Sequence, residues 1–287
     1  VMRRRAAALG LGLILLLTGC ARGDITQGWG PMPAAKQFRP VAGACHAILD
    51  DTAEQALADE YKPVPCAGPH KAETAAVLDL TAAEVSSATP WINSAYTECT
   101  KKVNAWLGGD WRTGWVVIHP LMPSSEAQAG GARWIRCDVG EMSPIDRVAV
   151  ERKGSMKGTL KPGGKLLMTC ANTTIGSDDG LDEHPVPCAS KHDTEFAGLY
   201  VSPKKEYSDF SRAEMDKGCS PVLARFAGVP NNRDLEYRVG WVAFQPNEHT
   251  WNLGDHAMRC FLWFAPRKVT GSYRKAGTGK LAIQYAD

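Results

Sequence analysis

Two short elements of this 287-residue sequence set a histidine and a carboxylate at the same spacing behind a cysteine. Val64-Pro65-Cys66-Ala67 is followed by His70 and Glu73, and Val186-Pro187-Cys188-Ala189 by His192 and Glu195. An imidazole that titrates near neutrality, beside a carboxylate, could act as a base with its orienting group or supply two ligands to a metal ion. Geometry works against both uses, because residues three apart in an extended segment point to opposite faces. Only a turn would bring each pair together, and two ligands still fall short of a zinc site. The plainer reading packs each His beside a cysteine bridge, bonded to backbone, with the Glu opening a strand. Contact with a partner or ligand is the third use. His46, His119, His184, His249 and His256 lack this repetition and read mostly as surface or loop residues.

The cysteines extend the repetition. Apart from Cys20 there are eight: Cys45, Cys66, Cys99 and Cys137, then Cys170, Cys188, Cys219 and Cys260. Corresponding members of the two sets lie 120 to 125 residues apart. Gly114-Trp115-Val116 returns as Gly240-Trp241-Val242, and Gly154-Ser155 as Gly271-Ser272. A period of this length is too long for a solenoid unit and fits a duplicated domain. An even number of cysteines in an exported chain implies disulfides, and four cysteines per copy allow three pairings. The pairing favoured joins first with second and third with fourth: Cys45–Cys66, Cys99–Cys137, Cys170–Cys188 and Cys219–Cys260. The spacing alone does not settle it. No C-x2-C occurs, so a compact zinc knuckle is a poor rival.

These residues need elements to position them. Glu73–Leu80 and Glu195–Val201 read as short strands behind the cysteine elements. A helix follows in the first copy, with Thr89 as N-cap, Pro90 at its first position and Gly108 beyond its end. Ile92, Tyr96, Cys99, Val103 and Trp106 keep a helical period that buries Cys99. The second copy offers Ser211 and Glu214 as a capping box, with Pro221 expected to kink or restart the helix. Strands are expected at Trp115–His119, Ala132–Val139, Trp241–Gln245 and Ala257–Phe264, and a helical turn within Pro123–Gly131. The Gly- and Lys-rich stretch Lys153–Gly164 reads as the boundary. The fold class is α+β: two tandem disulfide-stabilised α+β domains of similar topology, at residues 41–160 and 161–287.

The N-terminus carries an address. Arg3, Arg4 and Arg5 precede the apolar run Ala6–Leu17, the pattern of a secretory signal too short for a comfortable membrane span. Leu17-Thr18-Gly19-Cys20 looks like a bacterial lipobox, which predicts a signal peptide over 1–19 and a diacylglycerol on Cys20. A palmitate-bearing anchor and a flexible tether over 20–40 would then hold the protein at the outer face of the cytoplasmic membrane. Without residues 1–19, 30 bases face 31 acids, so no global basic footprint for nucleic acid remains.

The lipobox, the paired Val-Pro-Cys-x3-His-x2-Glu elements, a helix bearing a third Cys and a Trp strand before a fourth together resemble the septum-formation domain family. The resemblance covers about residues 41–283 as two copies. The second departs from the pattern with Lys191 where the first has Pro69, and with Pro221 in its helix. That family comprises exported and membrane-attached proteins of high-GC Gram-positive bacteria. The resemblance implies an envelope location and a link to septum formation, with no established reaction.

Catalytic signatures fail on inspection. There is no G-x-S-x-G elbow, no H-E-x-x-H helix and no C-x-x-C redox pair. Gly277-Thr278-Gly279-Lys280 lacks the first glycine and the final Ser/Thr of a phosphate loop. Of nine tryptophans, Trp91, Trp111 and Trp251 lie near element ends, where an exposed ring could stack on a sugar or a partner. The expectation is a non-catalytic envelope lipoprotein, with no cofactor and no metal, binding an envelope or division protein. Its candidate binding residues are His70, Glu73, His192, Glu195, Trp91, Trp111 and Trp251. A module for peptidoglycan or another wall glycan is the alternative, and an envelope hydrolase comes last.

Overall fold

The computed structural model describes residues 38–49, 62–81, 90–175, 181–209 and 211–284. They belong to one compact unit, Gln37–Asp287. Two antiparallel sheets carry the fold. The first has the order β1-β2-β4-β3, from β1 (Cys45–His46), β2 (Ala72–Asp79), β3 (Val116–Leu121) and β4 (Trp134–Glu141). The second has the order β6-β5-β7-β9-β8, from β5 (Cys170–Ile175), β6 (Leu181–Val186), β7 (Thr194–Val201), β8 (Gly240–Phe244) and β9 (Ala257–Trp263). Strands β5, β7, β9 and β8 repeat the order of β1, β2, β4 and β3. Cys45 pairs with Glu73 as Cys170 pairs with Glu195. The fold is α+β, with the same core arrangement in both halves.

Helix α1 (Pro90–Leu107) lies on the first sheet. Its Tyr96, Cys99, Val103 and Leu107 are buried against Val116, Ile118, Ile135, Cys137 and Val139. Burying a side chain of this size contributes roughly 1.5–3 kcal/mol. Gly108, with φ +79°, ends the helix where a side chain would collide with the stem of Lys161. Thr89, the expected N-cap, lies outside the described residues. The short helix α2 (Ser125–Ala129) occupies the turn expected between β3 and β4, capped by Ser124.

Helix α3 (Arg212–Ala227) covers the second sheet through Cys219, Leu223 and Phe226, packed on Met258, Cys260 and Leu262. It runs through Pro221 as one continuous helix, so of the kink or restart expected there the restart does not occur. Apolar contacts on both sides of the proline hold the turn that lacks its N–H. Only half of the expected capping box forms: Ser211 Oγ accepts from Glu214 N, but the Glu214 carboxylate accepts from the Tyr200 hydroxyl at 2.6 Å. Gly218 is the consequence, because a β-carbon there would fall 2.0 Å from the Tyr200 ring. Two further short helices, α4 (Glu248–Asn252) and α5 (Gly277–Lys280), complete the second half.

Two stretches hold more structure than their sequence signals. Lys153–Gly164 is a wall of the first core, since Met156 and Leu160 are buried there and Leu166 lies just beyond it. Its lysines face outward, and its composition conceals the apolar positions between them. The β5–β6 hairpin leaves little trace in the sequence. Its alternation is weak, with Asp182, Glu183, His184 and Pro185 in succession.

The halves meet through a third apolar cluster. Trp115, Val117, Met142 and Met168 pack on Phe196, Val242, Phe244 and Phe261. Val117 points away from the core that holds Val116 and Ile118, and Phe261 away from the core that holds Cys260 and Leu262. The strand period of two therefore gives each sheet one face for its helix and another for the joint.

Candidate functional site

The repeated elements form the same clasp twice. The four disulfides join Cys45–Cys66, Cys99–Cys137, Cys170–Cys188 and Cys219–Cys260. Behind Cys66 the chain turns, with Gly68 N donating to Pro65 O, and Ser190 N donates to Pro187 O behind Cys188. Each turn brings a carbonyl under the following histidine. His70 Nδ1 lies 2.9 Å from Gly68 O, and His192 Nδ1 lies 2.9 Å from Ser190 O. A carbonyl only accepts, so Nδ1 carries the proton in both rings. His70 exchanges backbone bonds with Arg152, and His192 with Val269.

The glutamates close the clasp from the strand side. Glu73 Oε1 accepts from Ser155 Oγ at 2.6 Å, and Oε2 accepts from Met156 N. Glu195 Oε1 accepts from Ser272 Oγ, and Oε2 from Tyr273 N at 2.8 Å. Gly154 N and Gly271 N donate to the carbonyls of Cys66 and Cys188. Both glycines have positive φ, +81° and +73°, which turns the chain sharply enough to present the next two donors to the carboxylate. Each pair thus fastens the last segment of its half onto the cysteine turn, with His and Glu serving different partners.

What remains chemically open is small. His70 Nε2 and His192 Nε2 are buried and make no hydrogen bond among the described residues. Cys170, His192 and Glu195 gather possible ligand atoms within 4.8 Å of one another. Cys170 Sγ, however, is spent in its bond to Cys188, and both Glu195 oxygens are occupied as acceptors. A disulfide sulfur is no thiolate, and the thiolate is the metal ligand. The donor set of the oxidised chain does not fit a zinc site.

The candidate tryptophans divide. Trp111 is buried in the first core, with the Arg259 guanidinium 5.4 Å from its ring. Trp251 is 1 % exposed, donates Nε1–H to Lys205 O at 2.8 Å and stacks on His256 at 4.3 Å. Neither presents the exposed ring that sugar stacking requires. Trp91 falls in the first turn of α1, and its side chain lies outside the described residues, as does Cys20. His46 is buried, not superficial, with Nε2 3.1 Å from Thr74 Oγ1.

Sequence reasoning missed a set of buried and half-buried ion pairs. Arg136 and Asp138 pair at 2.7 Å on one face of β4, and Asp138 also accepts from Thr74 Oγ1. Their i, i+2 spacing in a strand was a readable signal. At the joint, Arg112 makes two bonds to Asp110 and reaches Asp255 at 3.4 Å, while Arg259 Nε donates to Arg112 O at 2.9 Å. Burial raises the Asp255 carboxyl against the pull of Arg112 and Arg259. Burial would also raise Asp110, but the bonds and charge of Arg112 outweigh it and hold that carboxyl low.

Among the grooves on the described surface are two of about 330 Å³ each. One runs beside β7 and α3 and is flanked by Arg225, Arg274 and Lys275. The other runs beside β2 and α1, near Asp79 and Glu98. Among the described residues no helix is long and apolar enough to cross a membrane.

No match to the chain was found among curated proteins or among solved structures. A family model described as septum formation matches residues 42–260, as one span that crosses both halves, holds the whole first clasp and stops before Ser272 and Tyr273 of the second. The match covers well over half of the chain, and the chain belongs to the septum-formation family.

Proposed function

We propose that this protein is a lipid-anchored, non-catalytic envelope protein that binds another envelope or division protein in a role related to septum formation. The observation that supports this reading is the fate of the repeated His and Glu residues. The side chains with the most chemical promise are committed, in both halves, to holding the fold. The anchor is Cys20, placed by the lipobox at the outer face of the cytoplasmic membrane. Two acyl chains at about 0.8 kcal/mol per buried methylene would keep the protein there.

Crosslinking in cells tests the reading, with the wild-type protein compared against Cys20→Ala. The expected result is a saturable adduct with one envelope protein, lost or reduced when the anchor is removed. Co-sedimentation of residues 37–287 with purified sacculi tests the competing use. Saturable pelleting at physiological salt without any protein adduct would overturn partner binding in favour of a wall glycan.

A further inference from the structure

The second half leaves a strand edge open. β7 is held by β9 along its whole length, but β5 pairs only with its first two residues, Thr194 and Glu195. Beyond the bulge at Ala197 the other edge has no strand among the described residues. Ser202 N donates to His256 O, which makes 202 and 256 a hydrogen-bonded pair. By the alternation of an antiparallel ladder, Tyr200 also bonds to β9, while Leu199 and Val201 turn their N–H and C=O outward. Such an edge is a template for another extended chain.

A groove adjoins this edge on the helix side. Val222 and Phe226 of α3 form its apolar floor, and Arg225, Arg274 and Lys275 its rim. Gly198 keeps it open, since a β-carbon there would come within 3.1 Å of Val222 Cγ1. The three cations make no salt bridge among the described residues, and Arg274 only lies over the Phe226 ring at 4.6 Å. Val201 is 57 % exposed at the end of the edge. The groove of the first half carries Asp79, Glu98 and Lys102, and its two acids are paired, Asp79 with Arg39 of the segment leading into β1 and Glu98 with Lys101. The cationic groove of the second half has no such complement among the described residues.

We infer that the open edge of β7 takes up an extended acidic segment of a partner protein as an added strand, with alternate carboxylates directed at Arg225, Arg274 and Lys275. Main-chain bonds to Leu199 and Val201 supply the pairing, and the cationic rim supplies selectivity. The strand period of two sends every second side chain of the segment over Val222 and Phe226. A glutamate there lays its stem on the apolar floor and its carboxylate on the rim. This inference rests on the partner-binding reading and gives it a surface.

The test uses the oxidised full chain and a labelled Val-Glu-Val-Glu-Val-Glu peptide followed by fluorescence anisotropy. Saturable binding is expected, weakened by added salt, together with slowed amide hydrogen exchange at Leu199 and Val201. The Arg225→Glu/Arg274→Glu variant should bind about tenfold more weakly or worse, with its melting temperature confirming that it folds. A peptide N-methylated at alternate amides should not bind, because it cannot donate to the edge carbonyls. Equal binding of the N-methylated peptide, or of a Val-Lys counterpart, overturns the inference. So does no binding of the acidic peptide. If the cellular adduct survives that failure, only the groove is wrong; if the adduct is missing too, partner binding falls with it.

Discussion

Arg147 donates to Glu183 at 2.8 Å, and through that contact the loop after β4 grips a strand of the other half. The same guanidinium donates to Leu181 O and lies 5.2 Å from the Trp115 ring and 4.5 Å from the Phe244 ring. Arg147 therefore touches both halves with its charge and its flat faces together. Its own backbone is left-handed at φ +60°, a rare conformation for a side chain of this kind. The Glu183 side chain is fully buried. Desolvation outweighs the attraction of Arg147 and lifts its carboxyl to about 7.

A pH dependence follows from that lift. An acid whose folded pKa lies above its unfolded value binds more protons when folded. Its stabilising effect is full below the unfolded value of 4.5 and is lost as pH rises to about 7. The loss is on the order of 3 kcal/mol. Glu183→Gln should flatten this part of the profile, measured as chemical-denaturation stability from pH 4.5 to 7.5. An unchanged slope in the variant would assign the dependence to other groups.

The clasp predicts a structural cost for its histidines. His70→Ala and His192→Ala each remove a buried ring and a bond to backbone, at a cost of about 2–4 kcal/mol. Denaturant unfolding should show similar losses in the two variants, because the geometry is the same. The cellular adduct should persist below the melting temperature of each variant. Full stability with loss of the adduct would make these residues contacts instead.

How far the sequence could be read depended on which forces left local traces. The cysteine repeat, the helical period around Cys99 and the strands beside Glu73 and Glu195 were visible because local pattern and burial agree there. The structural use of His70 and His192 was also within reach, since extended spacing works against a shared ligand. In the sequence, the clasp partners Ser155 and Ser272 are an echo without a role. Only long-range closure shows that they cap a glutamate 82 and 77 residues earlier in the chain. The burial of Trp111 and Trp251 was harder to foresee, because a loop position says little about what folds over it. The Arg147–Glu183 and Arg112–Asp255 contacts left no periodic signal at all. They belong to the joint between halves, and sequence spacing carries no information about that docking.

The disulfides should contribute comparably despite their different positions. Chain-entropy reasoning gives about 3–4 kcal/mol each for loops of these lengths, with the 41-residue Cys219–Cys260 loop at the upper end. Replacing Cys219 and Cys260 together by Ala should lower stability by that amount, read by denaturant unfolding under oxidising conditions. The pair is fully buried between α3 and β9, so its loss should also loosen the second core. Hydrogen exchange should then rise in β9 while β4 stays protected. Equal loosening of both sheets would mean that the halves unfold as one cooperative unit.

Metal removal is the sharpest check on the clasp. The gathering of Cys170, His192 and Glu195 invites a zinc reading, but the oxidised sulfur and the two occupied carboxylate oxygens leave only His192 Nε2 unengaged. One nitrogen cannot hold a zinc ion against a chelator, since structural sites take four ligands. A purified oxidised chain should therefore keep its melting temperature after dialysis against EDTA, and added zinc should not raise it. A fall on chelation that zinc reverses would show a ligand set beyond these three residues. Reduction separates the cases further. If Cys170 and Cys188 are released and zinc then stabilises the chain, the sulfur bond is what keeps the metal out. If zinc still has no effect, the bonds from Ser272 and Tyr273 hold Glu195 away from it.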